Sequence, residues 1–291
     1  MNTDPRDVLV KFDPDEAIRL LDSLPATAPY HIVPDTLSDL WRKLEREFGS
    51  PGFRAFQCAT MTRLMEGFAA RATVRRYSQS ILDRFEISFR RIRSGMQDEN
   101  YLPYSSETDL LLKDLAICRQ RLFPAGARLV EDNRGFARSL ALRGGPAQAI
   151  AVVRALLEAG GNFPFYEVHT HMSELEDFNL PGWIRSCIRI AEMLELNPQV
   201  KGMIGGSWYN DPALARISPN LAYLTEVPAQ NGAYLLFSEV NHRTGALHKS
   251  KTRQALFEQG KYVPKTYVFV WPRKPLIAWA RQVAAVESGA R

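Results

Sequence analysis

The hydrophobic pattern changes period near residue 125, and that change limits the folds open to this chain. Before it, apolar residues recur every three or four positions, the spacing of helices with one buried face. After it, short runs of aromatic and β-branched residues, bounded by Gly, Pro, Asn and Asp, alternate with helical stretches. The expected fold class is therefore α/β in the mixed α+β sense. A helical N-terminal portion, residues 1–124, packs on a mixed-sheet C-terminal portion, residues 125–291, that carries the site.

In the first portion, residues 14–24 form an amphipathic helix ended by Pro25. Pro34-Asp35-Thr36 opens a second, which stops at Gly49-Ser50-Pro51-Gly52. Met61, Leu64, Met65, Phe68 and Ala72 begin the longest helical pattern, and Ile81, Phe85, Phe89 and Ile92 continue it. Ser106 is placed to cap a helix through Leu110, Leu111, Leu115 and Leu122, since its oxygen can accept an unpaired first-turn N–H.

In the second portion, residues 127–130 and 136–142 read as strands around an Asn-x-Gly turn. Gly144-Gly145-Pro146 starts a helix that Gly160 stops. Strands are expected at 163–172, 200–208, 221–225, 233–240 and 265–271. Helices are expected from Trp183 to Leu194, from Ser250 to Phe257 and from Pro275 to about Glu287. The three glycines in 200–208 mark close backbone approach or a bulge.

The net charge of +5 is unevenly placed. Between Arg243 and Lys274 the basic residues Arg243, Lys249, Lys251, Arg253, Lys261, Lys265, Arg273 and Lys274 face a single acid, Glu258. Such a run is either a solvated face or a surface for an anionic small-molecule substrate or cofactor. No nucleic-acid motif accompanies it, and the first hundred residues balance in charge, so nucleic acid is not the expected partner. No apolar run has the length of a membrane span. The polar, acidic N-terminus and three scattered cysteines point to the cytoplasm.

The chemistry concentrates in Phe163–Asp177. Side chains alternate along a strand, so Phe165, Glu167, His169 and His171 share one face. A carboxylate and two imidazoles suit a divalent metal, zinc or iron, with His242 or His248 completing the shell. Bound metal would support hydrolysis or an iron-dependent oxidation of a small molecule, with Glu174, Glu176 or Asp177 orienting the rings. Without metal, one imidazole serves as general base and Glu167 holds its tautomer. A structural histidine pair is the plain alternative. Asp211, after the glycine-rich strand, is either an acid–base group or the start of an Asp-Pro turn.

The order strand, helix, strand, strand, strand, helix, strand, helix is similar to that of acyl-CoA N-acyltransferases of the GNAT type. Val240-Asn241 and Leu256-Phe257-Glu258-Gln259-Gly260-Lys261-Tyr262 resemble the Asn and the Tyr-x-x-x-Gly-Phe stretch of that family. The resemblance covers about a third of the chain and implies an acyltransferase-like fold with an acyl-CoA or acyl-carrier donor. The family's Gln/Arg-x-x-Gly-x-Gly/Ala loop is absent, and His242-Arg243-Thr244-Gly245-Ala246-Leu247 is a distant echo of it. Without the loop, side chains such as Arg243, Lys249, Lys251 and Arg253 would have to hold the anionic donor in place of backbone N–H groups. A third reading is a non-enzymatic binding protein that uses the basic surface.

Overall fold

The computed structural model describes residues 7–72, 76–98, 108–240, 245–248 and 250–289. The chain is mixed α+β and contains one six-stranded mixed sheet in the order β1-β2-β3-β4-β6-β5. Its strands are β1 (Leu122–Pro124), β2 (Arg128–Arg134), β3 (Phe165–Thr170), β4 (Gly202–Ser207), β5 (Tyr234–Val240) and β6 (Lys265–Pro272). Two compact units divide the chain. One is Met1–Glu131 with Thr170–Leu175, and the other is Asp132–His169 with Glu176–Arg291.

The first unit holds α1 (Val8–Lys11), α2 (Pro14–Asp22), α3 (Asp35–Glu66), α4 (Phe68–Ala72), α5 (Gln79–Gln97) and α6 (Asp109–Cys118). The stop expected at Gly49–Gly52 is a kink inside α3. Gly49 takes a positive φ of 65° that a side chain would resist, and the helix resumes with Pro51 in its new first turn. The pattern that looks continuous from Met61 to Ile92 is broken: α3 ends at Glu66 and α5 begins at Gln79. Phe68 lies between them and packs edge-on against Phe89, with ring centroids 5.2 Å apart. Ser106, the expected cap, lies outside the described residues, as does Arg75; Thr108 stands at the N-cap of α6.

The second unit holds α7 (Gly145–Ala159), α8 (Leu180–Leu196), α9 (Leu214–Ile217), α10 (Tyr223–Gln230), α11 (Gly245–His248), α12 (Lys251–Glu258) and α13 (Arg273–Gly289). Several ends match their sequence signals. Asn179 caps α8 by accepting from Gly182 N–H at 2.9 Å, and Ser250 caps α12 through Arg253 N–H at 3.3 Å. Gly160 closes α7 in the left-handed region.

Two expected strands are not strands. Residues 138–142 wind into a 3-10 turn, and 221–225 enter α10. In both, a short apolar run fits a buried helical turn as well as a strand, and length alone does not separate them. Each of β3, β4, β5 and β6 is consequently joined to the next through helix. On one sheet face Phe136, Leu140, Val152, Ala155, Phe165, Ile204, Leu236 and Val270 form a buried cluster. On the other, Trp183 stacks on Trp271 at 6.1 Å, and Trp279 packs on both.

Candidate active site

Within the second unit, two parallel strands pair briefly and then part. β3 and β4 are in register only where Tyr166 meets Met203 and Glu167 meets Ile204. β4 continues through Gly205, Gly206 and Ser207, which pair with β6 on the other side. Ligands collect at the carboxyl ends of parallel strands, where the departing connections leave backbone groups and space.

A cavity of about 250 Å3 opens at this divergence. β4 contributes Ile204, Gly205 and Gly206, β6 contributes Val268, and the turn after β2 contributes Phe136 and Leu140. Glu167, Arg143 and Ser238 supply its polar side chains. The volume is just under the usual range for drug-sized ligands, about 300–1,000 Å3, and suits a small group.

The two glycines serve this space differently. A Cβ at Gly205 would sit 2.6 Å from Phe269 Cε1 and 2.8 Å from Val168 Cγ2, so packing on the Trp face excludes any side chain there. A Cβ at Gly206 would meet only Val268 Cγ2 at 3.6 Å, an ordinary contact. Glycine at 206 is therefore not a packing requirement, and its missing side chain leaves the cavity open.

Glu167 is held by Arg134, whose Nε donates to Oε2 at 3.1 Å, with side-chain exposures of 28% and 27%. The carboxylate is thus oriented yet reachable. Across the cavity, β5 shifts register between Phe237 and Glu239, and Ser238 bulges out of the ladder. Arg143 answers the bulge: its Nη1 donates to Ser238 O at 2.9 Å and to Ser238 Oγ at 3.2 Å. Gln148 on α7 brackets the neighbouring residue, donating to Phe237 O at 2.8 Å and accepting from Phe237 N–H at 2.7 Å.

A second polar cluster follows β4. Asp211 is 3% exposed, and its Oδ1 accepts from Ala213 N–H at 3.0 Å, the geometry of an Asp-initiated turn. The Tyr262 hydroxyl interacts with the Asp211 carboxyl. Burial pushes the Asp211 carboxyl up from its ordinary value. Burial first, and the Asp211 charge second, push the Tyr262 phenol up to about 12. Arg253 lies over the Trp208 ring at 4.8 Å and donates to Ala246 O at 2.6 Å and Ser218 Oγ at 2.9 Å.

The expected site residues are thus dispersed among several settings. Glu167 lines the cavity, and His169 follows two residues along β3. His171 lies past the end of β3, where strand alternation no longer applies, and belongs to the first unit. It is fully buried, its N–H donates to Ala127 O at 2.9 Å, and its Nδ1 lies 3.3 Å from Gly126 O and 3.4 Å from Glu174 Oε1. Burial first, then the Arg91 charge, push its pKa down to about 3. Glu167 and His169, both on β3, offer ligand atoms within 4.8 Å of each other. His242, Arg243 and Lys249 lie outside the described residues, as does Asn241. His248 and Lys251 are exposed, whereas Arg253 is spent on internal partners. Arg134, Arg143 and Ser238 escaped sequence reading, since the first two sit in segments read as turn and helix entry. The Gly205-Gly206 pair was the one available signal.

No protein-family profile matches the chain, and no curated protein is similar enough to match. Two solved structures are similar to it. One, an acyltransferase in complex with decanoyl-CoA and teicoplanin, has 12% identity, a TM-score of 0.34, and covers 92% of this chain and 99% of its own. The other, an acyltransferase in complex with CoA and 10C-teicoplanin, has 12% identity and a TM-score of 0.35, covering 93% and 100%. At these scores the likeness carries no argument about this chain's activity.

Proposed function

We propose that the chain is an acyltransferase that moves an acyl group from a phosphopantetheine thioester, acyl-CoA or acyl carrier, to a small-molecule acceptor. The observation that carries this reading is the parting of β3 and β4 over a small cavity with one oriented carboxylate. A pantetheine arm is extended and bears amides, so it can pair with a strand edge that has lost its neighbour, as an added strand does. Ile204, Phe136, Leu140 and Val268 give the acyl chain an apolar lining. Glu167 takes the proton from the acceptor amine or hydroxyl as that group attacks the thioester carbonyl. The C–S bond breaks, the thiolate leaves and is protonated, and the acceptor keeps the acyl group.

The metal-dependent hydrolase or oxidase reading has less support. The His171 ring, expected beside Glu167 and His169, is instead buried in the first unit against a carbonyl. The start of α8, the helix that follows β3, is not a free site for a donor's diphosphate. Asn179 already caps α8, and Asp177, ion-paired to Arg185 at 2.9 Å, places negative charge beside that helix start. The test supplies acyl-CoA and acyl-pantetheine thioesters with a panel of amines and alcohols, and follows thiol release and acylated product. Glu167→Gln should lower turnover about 10²- to 10⁴-fold, the usual worth of a general base. Absence of acyl transfer from every thioester, or full activity in Glu167→Gln, would reject the proposal.

A further inference from the structure

The face beside the cavity is unusually apolar for an exposed surface. Along α7, Ile150, Val153 and Leu157 are 54%, 52% and 77% exposed, and Leu142, just before the helix, is 88% exposed. Their spacing of three and four puts the α7 residues on one stripe. The opposite side of the same helix is already spent, since Val152 and Ala155 are buried in the sheet cluster. An amphipathic helix needs one apolar face for its own core, and this one has a second.

The charges around the stripe are mostly positive, three arginines against Glu158. Arg138, Arg143 and Arg154 are exposed, and none makes an ion pair among the described residues. Arg138 and Arg143 donate to neutral oxygens, those of Asn162 and Ser238. The one acid on the helix, Glu158, accepts from the Tyr234 hydroxyl at 2.8 Å. Apolar residues flanked by a net excess of arginine fit an acidic partner that carries its own apolar contacts. Arg143 belongs to this face and also lines the cavity, so a partner seated here would stand at the cavity's entrance.

We infer that the Leu142–Leu157 face docks an acidic carrier protein, which presents the acyl group on its phosphopantetheine arm to the cavity. This rests on the acyltransferase reading. It accounts for how a donor is held where α8 offers no free, positive start for a diphosphate: the partner's surface, and not the diphosphate, supplies the binding energy.

The test compares two donors with the same acyl group, one on an acidic acyl carrier protein and one on free pantetheine. Arg154→Glu and Leu157→Asp lie on the stripe away from the cavity lining, and thermal melts check that both variants fold. The double variant should raise KM for the carrier-bound donor about tenfold or more, with kcat/KM for acyl-pantetheine within about twofold. Added salt should weaken only the carrier reaction. Equal KM values for wild type and variant with the carrier donor would overturn the inference. So would a wild-type dimer that the variant dissolves, or anionic-vesicle binding that the variant abolishes, because the face would then serve a second copy or a membrane. Failure of the parent reading is separable. If neither donor reacts, fluorescence anisotropy of labelled carrier protein against wild type and variant still decides the docking, and wild-type binding no tighter than the variant's overturns it.

Discussion

His171 shows how one buried ring ties stability to pH. In the folded chain burial holds it neutral, with its pKa pushed down to about 3 from an ordinary value near 6.5. Below pH 6.5 the unfolded chain binds a proton that the folded chain refuses. Stability contributed by the neutral ring is therefore complete above pH 6.5 and is lost as pH falls toward 3, at up to about 1.4 kcal/mol per pH unit. Urea melts between pH 7 and pH 4.5 should show a shallower decline for His171→Gln than for wild type, and parallel slopes would refute the assignment. Glu167 is the contrasting case. Its ion pair with Arg134 is partly solvated, so Glu167→Gln should cost no more than about 1 kcal/mol of stability while abolishing most turnover. A stability loss far above that would make it a structural residue first.

At the scale of the element, α7 is fastened to β5 chiefly by side-chain bonds that replace a strand partner. Gln148 satisfies both backbone groups of Phe237 and donates to Leu140 O at 2.7 Å. Gln148→Ala would remove the partner of both Phe237 backbone groups, while Leu140 O keeps Arg143 N–H, and should cost about 1–3 kcal/mol. Hydrogen exchange is the direct check: the Phe237 amide should lose protection, and unchanged exchange there would mean another group holds the bulge. The same elements show what sequence patterns could convey. Ser250 and Gly160 announced helix ends correctly because caps act over three or four residues. The break at Gly49 was legible from its Gly-Ser-Pro-Gly stretch, whereas the helical turn at 221–225 was not, because packing over longer distances decides it. For the site, Glu167 stood out as a carboxylate on an apolar strand. Arg134 and Arg143 did not, since Arg134 is recruited by Glu167, 33 residues away, and Arg143 by the β5 bulge at Ser238, 95 residues away.

At the scale of the molecule, the first unit is not a contiguous stretch of chain. It takes Thr170–Leu175 from far downstream. Those residues supply the buried His171, the Glu174 partner of Arg84, and the Thr170 carbonyl that accepts from Lys113 Nζ at 3.2 Å. A fragment ending at Glu131 therefore lacks the buried His171 and the Glu174 partner of Arg84, whose side chain is 14% exposed. Circular dichroism of fragment 1–131 should show helix but no cooperative thermal transition. A sharp transition equal to that of the whole chain would show that the six downstream residues are dispensable.

The hydrogen at Gly206 has a last implication. Where neighbouring Gly205 is locked by its surroundings, this position tolerates growth, and anything grown there points into the space above Ile204. Under the acyltransferase proposal, alanine, valine and leucine in turn would act as graded stops that shorten the longest acyl group the cavity admits. Product profiles by mass spectrometry would then read like marks on a ruler, stepping down as the residue lengthens, and an unchanged profile would mean that tails lodge elsewhere.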